Sequence, residues 1–337
     1  MDSSVKDWSP ILDAGLGKPA LELAQHITNA EHIYLGTHVD PDGDAIGSLL
    51  GMAWMLRDVG KEVTAACADP VPETYAFLPG SDGVTHDPPA DEDLIISLDA
   101  GGLDRLGRLY VPDRFVGRPV VNIDHHVTNT RFGDAVLVDP EAAATAEILY
   151  LLLDRLELPL TLPAATCLLT GIITDTRSFR TSNTTSRVLQ VAALLVQSGA
   201  PLPDITQQVF ESKPISSLRL LGQALEAMHR SDRIIWSHVT QDMFRRCNAR
   251  AEDANSIINL LNSTREADMA ILFREDADGS VDVGFRSKPG VNVSEIAVAL
   301  GGGGHPQASG CRLSGPLPEV REFVLATVRA MRDGKVE

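Results

Sequence analysis

Apolar positions along this chain follow two rhythms. Short continuous apolar runs alternate with longer stretches in which apolar residues recur at helical spacing. The segments His32-Ile33-Tyr34-Leu35-Gly36, Leu94-Ile95-Ile96-Ser97-Leu98 and Pro119-Val120-Val121-Asn122-Ile123 read as buried strands, with a further strand from Lys61 to Ala68. Helices are expected over 14–29, from Asp44 to about Val59, and over 141–156, 163–175 and 184–198. Strands alternating with helices predict an α/β fold, a mostly parallel sheet with flanking helices. After about residue 200 the pattern changes. Pro201, Pro203 and Pro214 punctuate a helical stretch over 204–229 that reads as a connector. Beyond Ser231 the strands Ile234-Ile235-Trp236, Met269-Ala270-Ile271-Leu272-Phe273 and Val281-Asp282-Val283-Gly284-Phe285, with helices over 293–300 and 317–332, predict a smaller α+β domain. The expected division is a first domain over 1–195, a helical linker over 196–230 and a second domain over 231–337.

The polar residues that interrupt this pattern gather at strand ends. His38, Asp99 and Asp124 each lie at or just past the C-terminal end of a predicted strand. In open α/β sheets ligands bind outside those ends, so three strands aim acidic or imidazole groups at one crevice. His38-Val39-Asp40-Pro41-Asp42-Gly43-Asp44 is the densest piece, and Gly43 lets its two flanking carboxylates splay apart. An ordinary Asp-rich loop capping the next helix would use the same residues. In Asp124-His125-His126, adjacent imidazoles point in different directions, and Asp124 can fix the tautomer of one of them. Asp175 follows Gly171-Ile172-Ile173-Thr174 near a helix C-terminus, where a carboxylate is disfavoured unless a cation is near. Oxygen and imidazole donors in this number suit a pair of divalent ions and phosphoryl chemistry.

Charge narrows the substrate. The chain has 337 residues and a formal net charge of −17. A protein that grips long nucleic acid through its backbone shows a basic face, so no long duplex partner is expected and a small anionic substrate is favoured. No apolar run is long enough to span a bilayer, so no membrane partner is expected. Residues Met1 to Trp8 show no basic patch followed by an apolar stretch, so no signal peptide is expected. The four cysteines, Cys67, Cys167, Cys247 and Cys311, are scattered and read as small buried apolar residues, which fits a cytoplasmic location. His26, His32, His86, His229 and His238 are isolated and read as structural.

The second domain carries Gly301-Gly302-Gly303-Gly304-His305, a run expected to form neither helix nor strand. Its backbone N–H groups can approach an anion closely, and His305 can add a contact. Arg286, in Phe285-Arg286-Ser287-Lys288, suits bidentate phosphate binding.

Taken in order, these motifs resemble the DHH phosphoesterase superfamily, named for the triplet present as Asp124-His125-His126. The segment Gly302-Gly303-Gly304-His305-Pro306-Gln307-Ala308-Ser309-Gly310, with Arg286-Ser287 upstream, resembles the accessory domain called DHHA1. The resemblance runs from about residue 20 to 330. It is nearest the short-oligonucleotide phosphodiesterases, a group that includes pAp phosphatases and enzymes acting on cyclic di-AMP or pApA. It implies two metal ions, Mn²⁺ foremost with Mg²⁺ or Co²⁺ as substitutes. His38 and Asp42 would hold one, and Asp44, His125 and Asp175 the other, with Asp99 bridging. His126 and Asp124 would be catalytic, His126 against the scissile phosphate. Arg286, Ser287, Gly303, Gly304 and His305 would bind the rest of the substrate. Pro306 departs from the family pattern, which has a basic residue there.

The implied mechanism is hydrolysis by a water activated between the two ions, with the second domain closing over short substrates. A homodimer is compatible with the resemblance. The alternatives are a Mn-dependent inorganic pyrophosphatase, a single-strand DNA exonuclease of the same superfamily and a nucleotide sensor without turnover.

Overall fold

The computed structural model describes residues 17–332. Residues 14–16, where the opening helix was expected to start, lie outside the described residues. The chain divides into two compact units, Met1–Ser212 and Lys213–Glu337.

In the first unit, α1 (Gly17–Asn29) buries Ala20, Leu23 and Ile27, one stripe at helical spacing. Five parallel strands follow: β1 (His32–Thr37), β2 (Glu62–Cys67), β3 (Leu94–Leu98), β4 (Val120–Asp124) and β5 (Ala135–Val138), in the order β2-β1-β3-β4-β5. Every residue of β3 and β4 is buried, because helices and loops cover both faces of the sheet. The helices are α2 (Gly43–Asp58), α3 (Thr145–Leu156), α4 (Leu162–Asp175) and α5 (Ser186–Gln197).

Two of these helices approach unusually closely. A Cβ on Gly47 of α2 would stand 2.5 Å from the Cys167 carbonyl oxygen of α4, and one on Gly51 would stand 2.7 Å from a Leu168 methyl carbon. From the other side, a Cβ on Gly171 would stand 2.6 Å from Asp44 Oδ1. Glycine is required at Gly47 by backbone contact, and the close approach sets the start of α2 against the end of α4.

Helix α3 begins at Thr145, later than the 141 expected from sequence. Its N-cap residue, Ala144, has no side chain to cap it. The carboxylate of Asp44 does so instead, accepting Thr145 N at 2.6 Å and Ala146 N at 3.0 Å.

In the stretch 196–230, Leu202–Glu211 packs Ile205, Val209 and Phe210 on the first core. Helix α6 (Ile215–Glu226) buries Leu220 and Ala224 in a core of the second unit. That unit is built on a six-stranded sheet: β6 (His229–Ser231), β7 (Ile234–Val239), β8 (Met269–Glu275), β9 (Ser280–Ser287), β10 (Gly303–His305) and β11 (Ala308–Ser314), in the order β10-β11-β9-β8-β7-β6. Only β7 and β8 pair in parallel; the other pairs are antiparallel. One face carries α10 (Leu317–Arg332) and α9 (Ser294–Ala299), the other α6, α7 (Gln241–Cys247) and α8 (Ile257–Asn262).

The glycine run departs from expectation: Gly303–His305 is an edge strand paired with β11. The reason is packing. A Cβ on Gly302 would lie 2.1 Å from the Gly310 carbonyl oxygen, so the absent side chains let this segment lie against its neighbour. Among the described residues no single helix is long and apolar enough to cross a membrane.

Candidate metal centre

The loop after β1 brings His38 and Asp42 to the C-terminal edge of the parallel sheet. Asp42 is the N-cap of α2 and accepts Asp44 N and Ala45 N, both at 3.1 Å. That places Asp44 inside the first helical turn, fully buried. Asp99 follows β3 with φ +55, a left-handed conformation that Asp tolerates better than most residues. Its amide donates to Ile123 O at 2.9 Å, which anchors the turn to β4.

These side chains converge with His125 and Asp175. The candidate donor atoms of His38, Asp42 and Asp99 lie within 4.8 Å of one another, as do those of Asp44, His125 and Asp175, and those of Asp99, His125 and His126. Asp99 joins the groups with different oxygens. Its Oδ2 is 3.6 Å from His38 Nε2, and its Oδ1 is 3.6 Å from His125 Nε2. His125 Nε2 also lies 3.3 Å from Asp175 Oδ2 and 4.0 Å from Asp44 Oδ2.

Ring tautomers follow from the other nitrogen. His38 Nδ1 lies 2.7 Å from Val39 O and His125 Nδ1 lies 3.3 Å from Ala142 O. A carbonyl only accepts, so each Nδ1 carries the hydrogen and each Nε2 turns a lone pair to the carboxylates. His126 differs, because its Nδ1 is 2.7 Å from Asp124 Oδ1. Asp124 is buried and its oxygens are taken: Oδ1 also accepts the amides of His125 (2.8 Å) and His126 (3.2 Å), and Oδ2 accepts Asn129 Nδ2 at 2.5 Å. Asp124 therefore orients His126 from behind.

The electrostatics are those of a crowded acidic cluster. Burial and the carboxylates of Asp99 and Asp42 hold Asp44 well above the usual carboxylate range, and burial with Asp44, Asp42 and Asp99 does the same to Asp175. Burial also opposes ionisation of Asp99, but His38, His125 and His126 outweigh it and hold the group below its usual value. Burial opposes charge on His126, and Asp124 and Asp99 overcome it, pushing the imidazole up to about 9. Four carboxylates and two imidazole lone pairs facing inward match the donor preference and the charge of two divalent cations. The residues fit such a pair.

The remaining expected site residues lie in the second unit. Arg286 is near the end of β9 and donates through one guanidinium N–H to Phe285 O at 3.0 Å. Gly303, Gly304 and His305 form exposed β10. Ser287 is buried and its hydroxyl donates to Val291 O at 2.6 Å. The hydroxyl therefore faces protein.

Sequence reasoning missed four contributors. Thr145 links two carboxylates, its amide on Asp44 and its hydroxyl on Asp99 Oδ1 at 2.9 Å. Asn129 also donates to Asn122 Oδ1 at 2.8 Å, and Asn122, buried within β4, donates to Ala100 O at 3.1 Å. Arg105 reaches within 3.3 Å of His38 Nδ1. Only Asn122 left a signal, as a polar residue inside an apolar strand run.

Comparison with known proteins gives a consistent picture. The DHH family N-terminal domain matches residues 32–172 and the DHHA1 domain matches residues 239–331. The bifunctional oligoribonuclease and PAP phosphatase NrnA of Thermus thermophilus is 40% identical over 308 residues, covering 88% of this chain and 89% of the relative. The protein of the same name from Bacillus subtilis is 29% identical over 296 residues, covering 87% and 92%. An exopolyphosphatase-related protein from Bacteroides fragilis has the same fold, with a TM-score of 0.86 at 24% identity, covering 93% of this chain and 96% of that one.

Proposed function

The chain belongs to the DHH family of metal-dependent phosphoesterases, and on that premise we propose that it hydrolyses short oligoribonucleotides, pApA among them, and small nucleotides such as pAp and cyclic di-AMP. The observation that carries this reading is Asp99, whose two carboxylate oxygens face two different imidazoles, each at 3.6 Å. His38 and Asp42 would hold one divalent cation and Asp44, His125 and Asp175 the other, with Asp99 placed to serve either. Mn²⁺ is the proposed metal, because imidazole donors favour it over Mg²⁺, with Mg²⁺ and Co²⁺ as substitutes. When bound, the ions supply Lewis acidity to a nucleophilic water and to the phosphoryl oxygens.

The chain's own residues orient and move protons. The carbonyls of Val39 and Ala142 keep His38 and His125 in the tautomer that offers Nε2. His126, whose imidazole Asp124 and Asp99 push up to about 9, faces the scissile phosphate, where it donates to the leaving oxygen. Asp124 holds that ring in place. Arg286, His305 and the backbone of Gly303 and Gly304 take the substrate's other phosphate or nucleotide, and Ser287 supports Arg286 from inside the sheet. The four cysteines are free and buried, which suits action in a reducing cytoplasm.

The test is a hydrolysis panel with Mn²⁺, Mg²⁺ or Co²⁺ and pAp, pApA, cyclic di-AMP, RNA of about two to five nucleotides, a strand of about 24 and pyrophosphate. Release of mononucleotides from the short substrates, with the long strand spared, is the expected outcome. Cleavage of pyrophosphate alone, or steady degradation of the long strand, would overturn the substrate assignment.

A further inference from the structure

The loop between β5 and α3, together with the first turn of α3, supplies none of the proposed ligands yet touches three of them. Ala142 O accepts from His125 Nδ1 at 3.3 Å. Thr145 donates its amide to Asp44 Oδ2 at 2.6 Å and its hydroxyl to Asp99 Oδ1 at 2.9 Å, and Ala146 donates its amide to Asp44 Oδ1 at 3.0 Å. What holds this loop in register is a guanidinium from α5. Arg187 Nε donates to Glu147 Oε1 at 2.6 Å, and its Nη2 donates to Asp139 Oδ2 at 2.9 Å.

Those two carboxylates stand on either side of the loop, Asp139 at its start and Glu147 in the first turn of α3. Glu147 is fully buried, and its other oxygen accepts Ala143 N at 2.7 Å. At the other end Asp139 N donates to Asp124 O at 3.1 Å, and Ala142 N donates to Asp139 O at 3.0 Å. One planar fork thus spans the segment that presents the Ala142 carbonyl to His125 and the Thr145 amide and hydroxyl to Asp44 and Asp99. Withdrawing three charges from water, Glu147 fully and Arg187 and Asp139 in large part, is an expensive way to fill space, because apolar groups of similar size do it as well. A directional clamp with two fixed N–H vectors gives positional control that apolar packing does not, and a single ammonium cannot match both vectors.

We propose that Arg187 is a positioning residue for the metal centre. By bridging Asp139 and Glu147 it fixes the loop that orients His125 and restrains Asp44, and so sets the affinity of the ion held by Asp44, His125 and Asp175. The ion held by His38 and Asp42 is reached only through Asp99, on whose Oδ1 Thr145 donates while Oδ2 faces His38, so it depends on the clamp far less. The inference rests on the metal-centre assignment given under the proposed function.

The experiment is a calorimetric Mn²⁺ titration of the full chain after chelation, with melting curves recorded in parallel. The unmodified chain is expected to show two sites. Arg187→Met is expected to weaken one of them roughly 10–100-fold, as loss of groups behind metal ligands generally does, and to leave the other within about threefold. Arg187→Lys, which keeps the charge without the fork, is expected to fall between them. Should Arg187→Met not fold, Arg187→Lys carries the test, and one weakened site is again the supporting result. A lower melting temperature with both affinities unchanged, or an equal loss at both sites, would make Arg187 merely structural and overturn the proposal. If the unmodified chain takes up no Mn²⁺, the metal centre itself falls and the clamp with it.

Discussion

Three histidines in this centre differ in what holds the second ring nitrogen, and that difference assigns their work. His38 and His125 give Nδ1 to backbone carbonyls, which orient each ring so that Nε2 faces the carboxylates. His126 gives Nδ1 to the Asp124 carboxylate, which stabilises an imidazolium. The first arrangement suits a ligand and the second an acid. His126→Ala is therefore expected to lower kcat by about 10²–10⁴ and leave bound Mn²⁺ unchanged. Steady-state kinetics beside metal analysis of the purified variant checks this. An equal fall in metal content would make His126 a ligand, a role its 3.7 Å approach to Asp99 Oδ1 keeps open to test. The residues of the centre were legible in the sequence because each stands where an apolar run breaks into His or Asp. Thr145 and Arg105 were not, because each reaches a residue far along the chain, and Asn129 was not, because it stands in a polar loop with no apolar run to interrupt. Thr145 and Asp44 are 101 positions apart.

Among the elements, the contact between α2 and α4 does most to build the centre, since each helix carries a carboxylate to it. The close approach makes separable claims at two glycines. Gly51→Ala meets only the Leu168 side chain, two turns from Asp44, whereas Gly171→Ala drives a methyl to 2.6 Å from Asp44 Oδ1 and 2.8 Å from Ala146 Cβ. Both are expected to lose stability by about 1–3 kcal/mol through overpacking. Only Gly171→Ala should also weaken Mn²⁺ binding, because only there does the displaced atom belong to the centre. Denaturant unfolding paired with metal titration separates the two effects, and equal metal affinity in both variants would remove Gly171 from the argument. The parallel strands and long helices were readable because burial on both faces leaves continuous apolar runs. The start of α3 was not, since its cap is Asp44 rather than a neighbour. Nor was β10, because four glycines carry no strand pattern and pair only once β11 is beside them.

For the whole molecule the governing quantity is charge. Two bound divalent ions offset about four units of the formal −17, so the loaded enzyme still repels an anionic substrate at long range. Attraction must then come from contacts close to the centre, which salt screens least. A nuclease that grips a strand through many phosphates behaves oppositely, losing about 10³–10⁵ in affinity between about 50 and 200 mM salt as counterions return. For this chain kcat/KM on pApA is expected to change by less than about threefold over that range at saturating Mn²⁺, because screening weakens the long-range repulsion as well as the local attraction. Initial rates measured across a potassium chloride series decide the point. A loss of tenfold or more would mean that several separated phosphates are held by exposed cations, and the proposed preference for short substrates would then need a cause other than the acidity of the protein.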